Sequence, residues 1–327
     1  MAESTRSPLP PQGGGIEREA LDQAAAAAEV VEAPQGAVWP ARWSFEGPIP
    51  EQAYLQLIGD RRFASAARAL ACNMLTAIEG DRALDAICKD AGRYLAAMWA
   101  LHLHLSGGLT LPRLKAASEA SGFLSGGRSR DMLHYLQHLD YIAPTQPAAG
   151  GAALYAPTPM LMTAWQRHLK AALEAASLVE TAAHAVLARF DEPQVFAAFA
   201  HAHAESLFLA ARTADQQAAY NRVFLHRHAG NQVVWTLLAA GEDRDFPSRE
   251  PLSVSFSATA RRFGVSRTHV KRMFDDAARE GVLRTDRDGG FVFTDQARNY
   301  VQFLYAAQVV HLLAAAARTF QRQSARG

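Results

Sequence analysis

Between Arg261 and Arg272 the chain carries five basic side chains, Arg261, Arg262, Arg267, Lys271 and Arg272, and no acidic one. Cations at this density suit phosphate, and an arginine fork matches the O6 and N7 acceptors of guanine. Two more arginines, Arg284 and Arg287, follow in the segment L-R-T-D-R-D-G-G-F-V-F-T. The chemistry on offer is recognition of a polyanion.

Other chemistry is poorly provided for. The 12 histidines include the pairs His102/His104, His201/His203 and His226/His228. Positions two apart on a helix point to nearly opposite sides, so these pairs chelate poorly. His134/His138 and His201/Glu205 have the better spacing of four, but no third ligand lies nearby in sequence. No metal is expected. Cys72 and Cys88 read as packing residues, with no disulfide framework. The chain has no phosphate-binding loop, no nucleophile elbow and no H-E-x-x-H motif, so neither an enzyme nor a cofactor is expected.

The basic residues must be positioned by helices. In S-A-T-A-R-R-F-G-V-S-R-T-H-V-K-R-M-F-D-D-A-A-R-E-G-V-L, a helix ends at Phe263 and Gly264 supplies a left-handed stop. Ser266 is a good N-cap for the next helix, Arg267–Glu280. Val270, Met273, Phe274 and Ala277 form its inward stripe. Thr268, Lys271, Arg272, Asp275 and Arg279 fall on the opposite side, with Arg267 and His269 on the flanks. Asp288-Gly289-Gly290 between two short β-runs marks a hairpin that carries Arg284 and Arg287.

The run A-R-R-F-G-V-S-R-T-H-V-K-R-M, then E-G-V-L-R and the hairpin, resembles bacterial winged helix-turn-helix transcriptional regulators of the MarR-like and GntR-like groups. The resemblance covers about 60 residues well, near 235–294. It implies double-stranded DNA as partner. Arg261 and Arg262 precede the turn, Ser266 caps the recognition helix, and Arg267, Thr268, His269, Lys271 and Arg272 lie on it. Arg284 and Arg287 lie on the wing. It also allows a small-molecule effector near Trp99, Trp165 and Trp235, which otherwise read as core aromatics.

An internal repeat extends the pattern. Ser125–Ile142 aligns without a gap on Ser266–Leu283, and Tyr155–Thr158 on Phe291–Thr294. The expected fold is therefore mainly α with short β-hairpin wings: two tandem winged-helix modules with long packing helices. The expected divisions are a weakly ordered tail (1–48), a first module (49–190) and a second (191–327) with recognition helix 267–280 and wing 282–294. In the first module Arg128 and Arg130 are the counterparts of the basic face, but the hairpin Ala143–Ala153 has no charge. This copy binds DNA weakly or serves as scaffold. One chain would mimic a dimer, or pair as a homodimer.

Composition bounds the rest. Of 327 residues, 49% are hydrophobic, enough for substantial cores, and 33 basic against 32 acidic residues exclude a histone-like coat. The best apolar run, Tyr305–Ala317, contains Gln308 and His311, so no membrane span is expected, and no secretory signal is legible at the start. With few cysteines, the cytoplasm is the expected compartment. Two rival readings stay open: a tandem winged-helix adaptor that binds protein, and a replication-initiator-like DNA binder.

Overall fold

Capping side chains set many of the helix boundaries. The structure, a computed structural model, describes residues 39–122, 124–145, 152–211, 218–241 and 245–324. Most of the 1–48 tail, the tip of the first hairpin (146–151) and the start of a helix expected from Asp215 lie outside the described residues. The chain is mainly helical with few strands.

Helices α1 (Glu51–Ile58) and α2 (Phe63–Ile78) come first. The sequence period suggests one helix from Arg82 to His104. Instead α3 (Arg82–Ile87) stops and α4 (Ala91–Leu105) starts afresh. The Asp90 carboxylate accepts the Arg93 N–H at 3.0 Å and caps the new helix, which competes locally with continuation. Strand β1 (Leu109–Thr110) leads into α5 (Leu111–Ser121), α6 (Gly126–His138), β2 (Ile142–Thr145) and β3 (Leu154–Pro157).

The next expected helix, Pro159–Phe190, is likewise two: α7 (Pro159–Ser177) and α8 (Ala183–Leu187). Glu180 sits at the break. Its carboxylate accepts from Arg42 (2.7 Å), Trp43 Nε1 (3.0 Å) and the Ala182 N–H (3.3 Å). This docks Trp43, while the Trp39 ring meets Phe320 at 5.9 Å, and both, within the segment read as tail, are buried. Then follow α9 (Pro193–Ala211), a π-helical turn Asn221–Leu225 and α10 (Gly230–Ala239). The last elements are α11 (Phe256–Arg262), α12 (Arg267–Arg279), β4 (Leu283–Thr285), β5 (Phe291–Phe293) and α13 (Asp295–Ser324).

The two halves repeat specific backbone devices at aligned positions. Ser125 and Ser266 both cap their helices, accepting from the Arg128 and His269 N–H groups. Asp140 (φ 54°) and Gly281 (φ 69°) are both left-handed just past those helices. After them the Tyr141 N–H donates to Leu136 O (2.9 Å), and the Val282 N–H to Ala277 O (2.8 Å). Thr158 and Thr294 donate their hydroxyls to the carbonyls of Asp140 and Gly281 and accept from the following helix. Leu109 pairs with Tyr155 in an antiparallel sheet of order β1-β3-β2, and Leu252 bridges Phe291 beside the β4–β5 ladder. Replacing Ser266 by alanine removes a cap and should cost about 1 kcal/mol. Urea unfolding of Ser266→Ala and Ser125→Ala checks this, with similar losses expected for both.

Helices from both halves share one core. α2 packs on α7 and α10, while α13 packs on α1, α7, α8 and α9. The Arg68 guanidinium on α2 donates to the carbonyls of Leu238, Ala240 and Asp245 in the second half. Residues 295–323 of α13 are long and apolar enough to cross a membrane, but 67% of the most apolar window is buried inside the body. Val301, Val309, Val310 and Leu313 are fully buried, so that apolarity is spent on the core.

Candidate nucleic-acid interface

The helix pair forms as its sequence dictates. Ser255 accepts from the Ala258 N–H at the start of α11. Gly264 turns the chain at φ 62°, and the Val265 N–H returns to Ala260 O at 3.0 Å. Val270, Met273, Phe274 and Ala277 are buried, so the inward stripe of α12 is the expected one. The Phe274 ring meets Phe256 at 5.2 Å and Phe291 at 4.6 Å, which ties α12 to α11 and the hairpin. Arg267, Thr268, Lys271, Arg272, Asp275 and Arg279 are exposed.

The candidate cations divide into free and engaged. Among the described residues, the side chains of Arg261, Arg267, Arg272, Arg284 and Arg287 have no ion pair or hydrogen bond. Lys271 pairs with Asp275 at 2.7 Å, but both are more than half exposed and can exchange partners at little cost. Arg262 reaches Glu79 at 2.8 Å and lies over the Phe263 ring, so it clamps α11 to the end of α2. Lys89 reinforces that clamp by donating to Phe263 O at 2.8 Å.

His269 is not a free reader. Its half-buried ring meets the His228 carbonyl through Nε2 at 2.8 Å, and Nε2 must carry the proton to donate there. Two more contacts lie along the same edge of α12. Asp276 pairs with Arg227 at 2.5 Å and with Arg279, and Glu280 pairs with Arg222. The Arg227 hydrogen bond, with Arg279 beside it, holds the Asp276 carboxyl below its usual range. Thus one side of α12 packs inward, one edge is braced by residues 222–228, and the remaining face is open. On the hairpin, Asp286 accepts from the Asp288 (3.1 Å) and Gly290 (2.5 Å) N–H groups, so its charge serves the turn.

The corresponding face of the first half is thinner. Leu133 and Leu136 are buried, Met132 and Leu139 half-buried, and Arg128, Arg130, Asp131, His134 and His138 exposed. Arg113 is drawn inward to Gly108 O (2.6 Å) and Ser106 O (3.0 Å). Arg93 pairs with Asp90 at 3.1 Å and covers the Tyr135 ring. Arg128 and Arg130 are left without side-chain partners among the described residues.

The brace from 222–228 has no sequence signal. It uses ordinary charged residues whose partners lie some 50 positions away, as in Arg222–Glu280. The histidine pairs also acquire partners that spacing did not suggest: the His102 and His201 rings stack at 4.9 Å across α4 and α9. Among the described residues no group of three His, Cys, Asp or Glu side chains could hold a metal ion. Cys72 and Cys88 are unbridged, and burial pushes the Cys88 thiol up, away from reactivity. In comparison with known proteins, the chain has no significant match to a family model, a curated protein or a solved structure.

Proposed function

We propose that this protein binds double-stranded DNA as a tandem winged-helix regulator, with α12 entering the major groove and the β4–β5 hairpin flanking it on the phosphates. The observation that carries this reading is the set of five unengaged arginines, Arg261, Arg267, Arg272, Arg284 and Arg287, on a helix, turn, helix and hairpin. Arg267, Thr268 and Arg272 lie in the first two turns of α12, the part that reaches base edges in such docking. The aligned caps, left-handed residues and threonine bonds of the two halves support a duplicated module. The first copy has fewer free cations, which suits a supporting role in a pseudo-dimer.

An adaptor that docks protein would need an apolar patch on this face. Among the described residues the exposed large hydrophobics are Leu55, Met160 and Leu178, none of which lies on α11, α12 or the hairpin. That favours DNA.

A phosphate contact on the hairpin gives a clean test. Arg284→Ala should weaken binding to all duplexes alike and make the dependence of log K on log salt shallower by about 1. Anisotropy titrations of a preferred and a random duplex at several salt concentrations measure both. An unchanged slope would remove the hairpin from the interface.

A further inference from the structure

Two helices that face solvent in aligned positions, α6 and α12, are tied to one short stretch of chain. Residues 85–93 run from α3, through the break that Asp90 caps, into the first turn of α4. Two cations of this stretch reach different halves. Lys89 meets Asp85 at 3.0 Å and donates at 2.8 Å to Phe263 O, at the end of α11. The Lys89 side chain is only 12% exposed, so this bond lies in the seam between the halves. Arg93 donates to the Tyr135 hydroxyl of α6 at 3.4 Å and lies 5.1 Å from the centre of that ring. Asp90 (3.1 Å) and Ala86 O (3.3 Å) hold the Arg93 guanidinium in place.

The same stretch reaches α12. The His228 ring lies in the field of Lys89, Arg93 and Asp90, and the His228 carbonyl meets the His269 ring of α12 at 2.8 Å. Gln232, in the first turn of α10, donates to the Asp85 carboxylate (2.5 Å) and carbonyl (3.1 Å). Towards α6, Gly92 is buried against Leu124, and a Cβ there would meet a Leu124 methyl at 2.9 Å.

We propose that residues 85–93 set the separation and angle of α6 and α12, with Lys89 and Arg93 as positioning residues, so that the protein recognises two unlike half-sites at one spacing. This rests on the DNA-binding reading above. The apolar core that both halves share is held by a non-directional force, which tolerates small slides of one helix past another. Charge-assisted hydrogen bonds are directional, and a nearly buried cation is costly to leave unpaired. Lys89 and Arg93 therefore supply a register that the core does not. The two faces so positioned differ in side chains: Arg128, Arg130 and His134 on α6 against Arg267, Thr268 and Arg272 on α12. Two unlike heads held rigidly engage together only where their half-sites stand in the matching order and spacing.

The bridge is tested without DNA. Spin labels on His138→Cys and Ala278→Cys, at the ends of α6 and α12, report the distance between the helices by double electron–electron resonance. A Cys72→Ala background leaves only the buried Cys88. The full chain should give one narrow distance distribution. Lys89→Met combined with Arg93→Met, which keeps apolar stems and removes both charges, should broaden it. Circular dichroism checks the fold, and Lys89→Met alone serves if the double variant loses helix. An equally narrow distribution in the folded variant overturns the bridge.

Spacing is measured separately, on a duplex carrying the preferred site with one or five base pairs inserted at its centre. In wild type each insertion should lower affinity roughly threefold to tenfold, because α6 and α12 no longer engage together. In the charge-removed variant a single inserted base pair should cost less than about twofold. A wild type that tolerates both insertions, or a folded variant that rejects the single one as strongly, overturns the spacing claim and leaves the DNA-binding reading standing. No affinity for any duplex overturns that reading and the spacing claim with it, while the distance measurement still decides the bridge.

Discussion

Arg272→Ala is expected to weaken binding to a preferred duplex by roughly 1–3 kcal/mol, about fivefold to 150-fold, and to relax specificity at one base position. Arg267→Ala should behave alike. Both side chains stand on the open face of α12 without partners, so removing them takes away interactions with DNA and none within the protein. Lys271 differs, because its ammonium already meets Asp275 at 2.7 Å. Lys271→Ala removes a cation and also leaves Asp275 facing the phosphates without compensation. Asp275→Asn should then strengthen binding, since it frees Lys271 and removes that repulsion. Arg130→Ala, on the thinner face of the first half, should change affinity less than about threefold. Anisotropy titrations of the five variants on one duplex give the order. A loss for Arg130→Ala equal to that for Arg272→Ala would reverse the roles of the two halves.

Acid should unfold this protein well above the usual carboxylate range. His168, His203 and His311 are buried, and burial pulls their pKa values down to about 4, 3 and 4. Arg167 near His168, Arg318 near His311, and the neighbouring histidines around His203 act in the same direction. His168 is held neutral against the Tyr94 hydroxyl at 3.0 Å, and His311 against Ser206 Oγ at 2.6 Å. In the unfolded chain each titrates near 6.5. The unfolded state therefore binds more protons as the pH falls below about 6.5, and stability falls with it until the folded values near 4 are reached. Stability from these groups is fully present above 6.5. Three such groups give a limiting slope of about 4 kcal/mol per pH unit. His102, His104 and His228 shift in the same direction and add to it. Depressed carboxylates such as Asp276 lose their contribution only below their ordinary range, so they do not account for losses near pH 6. Urea midpoints between pH 7.5 and 5 measure the slope, and His203→Phe should flatten it by about a third. A flat profile in this window would show that these rings take up protons in the folded chain just as they do in the unfolded one.

Much of the site was legible because it is local. A serine three residues ahead of an amide, a glycine after a helix and an apolar stripe at helical spacing fixed α11, α12 and the hairpin to within a residue or two. The helix ends at Glu51–Ile58 and Pro193–Ala211 were likewise readable from proline and the apolar period. What could not be read is what tertiary partners decide. The break before α4 depends on Asp90 capping a fresh helix within an unbroken apolar period. The break after α7 depends on Glu180 finding Arg42 and Trp43 far back in the chain. Which of the expected cations remain free was also invisible: Arg262 and His269 are engaged by Glu79 and His228, residues from distant segments. Trp99 and Trp165 are core residues, fully buried.

The most direct measurement exposes the full chain to a pool of genomic fragments at two salt concentrations and sequences what it retains. With about five unengaged cations meeting the duplex, affinity should drop roughly 10²- to 10³-fold between 50 and 200 mM salt, and the retained fragments should share a short sequence. One shared half-site would point to α12 alone, and two about one helical turn apart to both halves. A folded chain that retains no fragment at the lower salt, or retains all alike, would contradict sequence-specific DNA binding through α12.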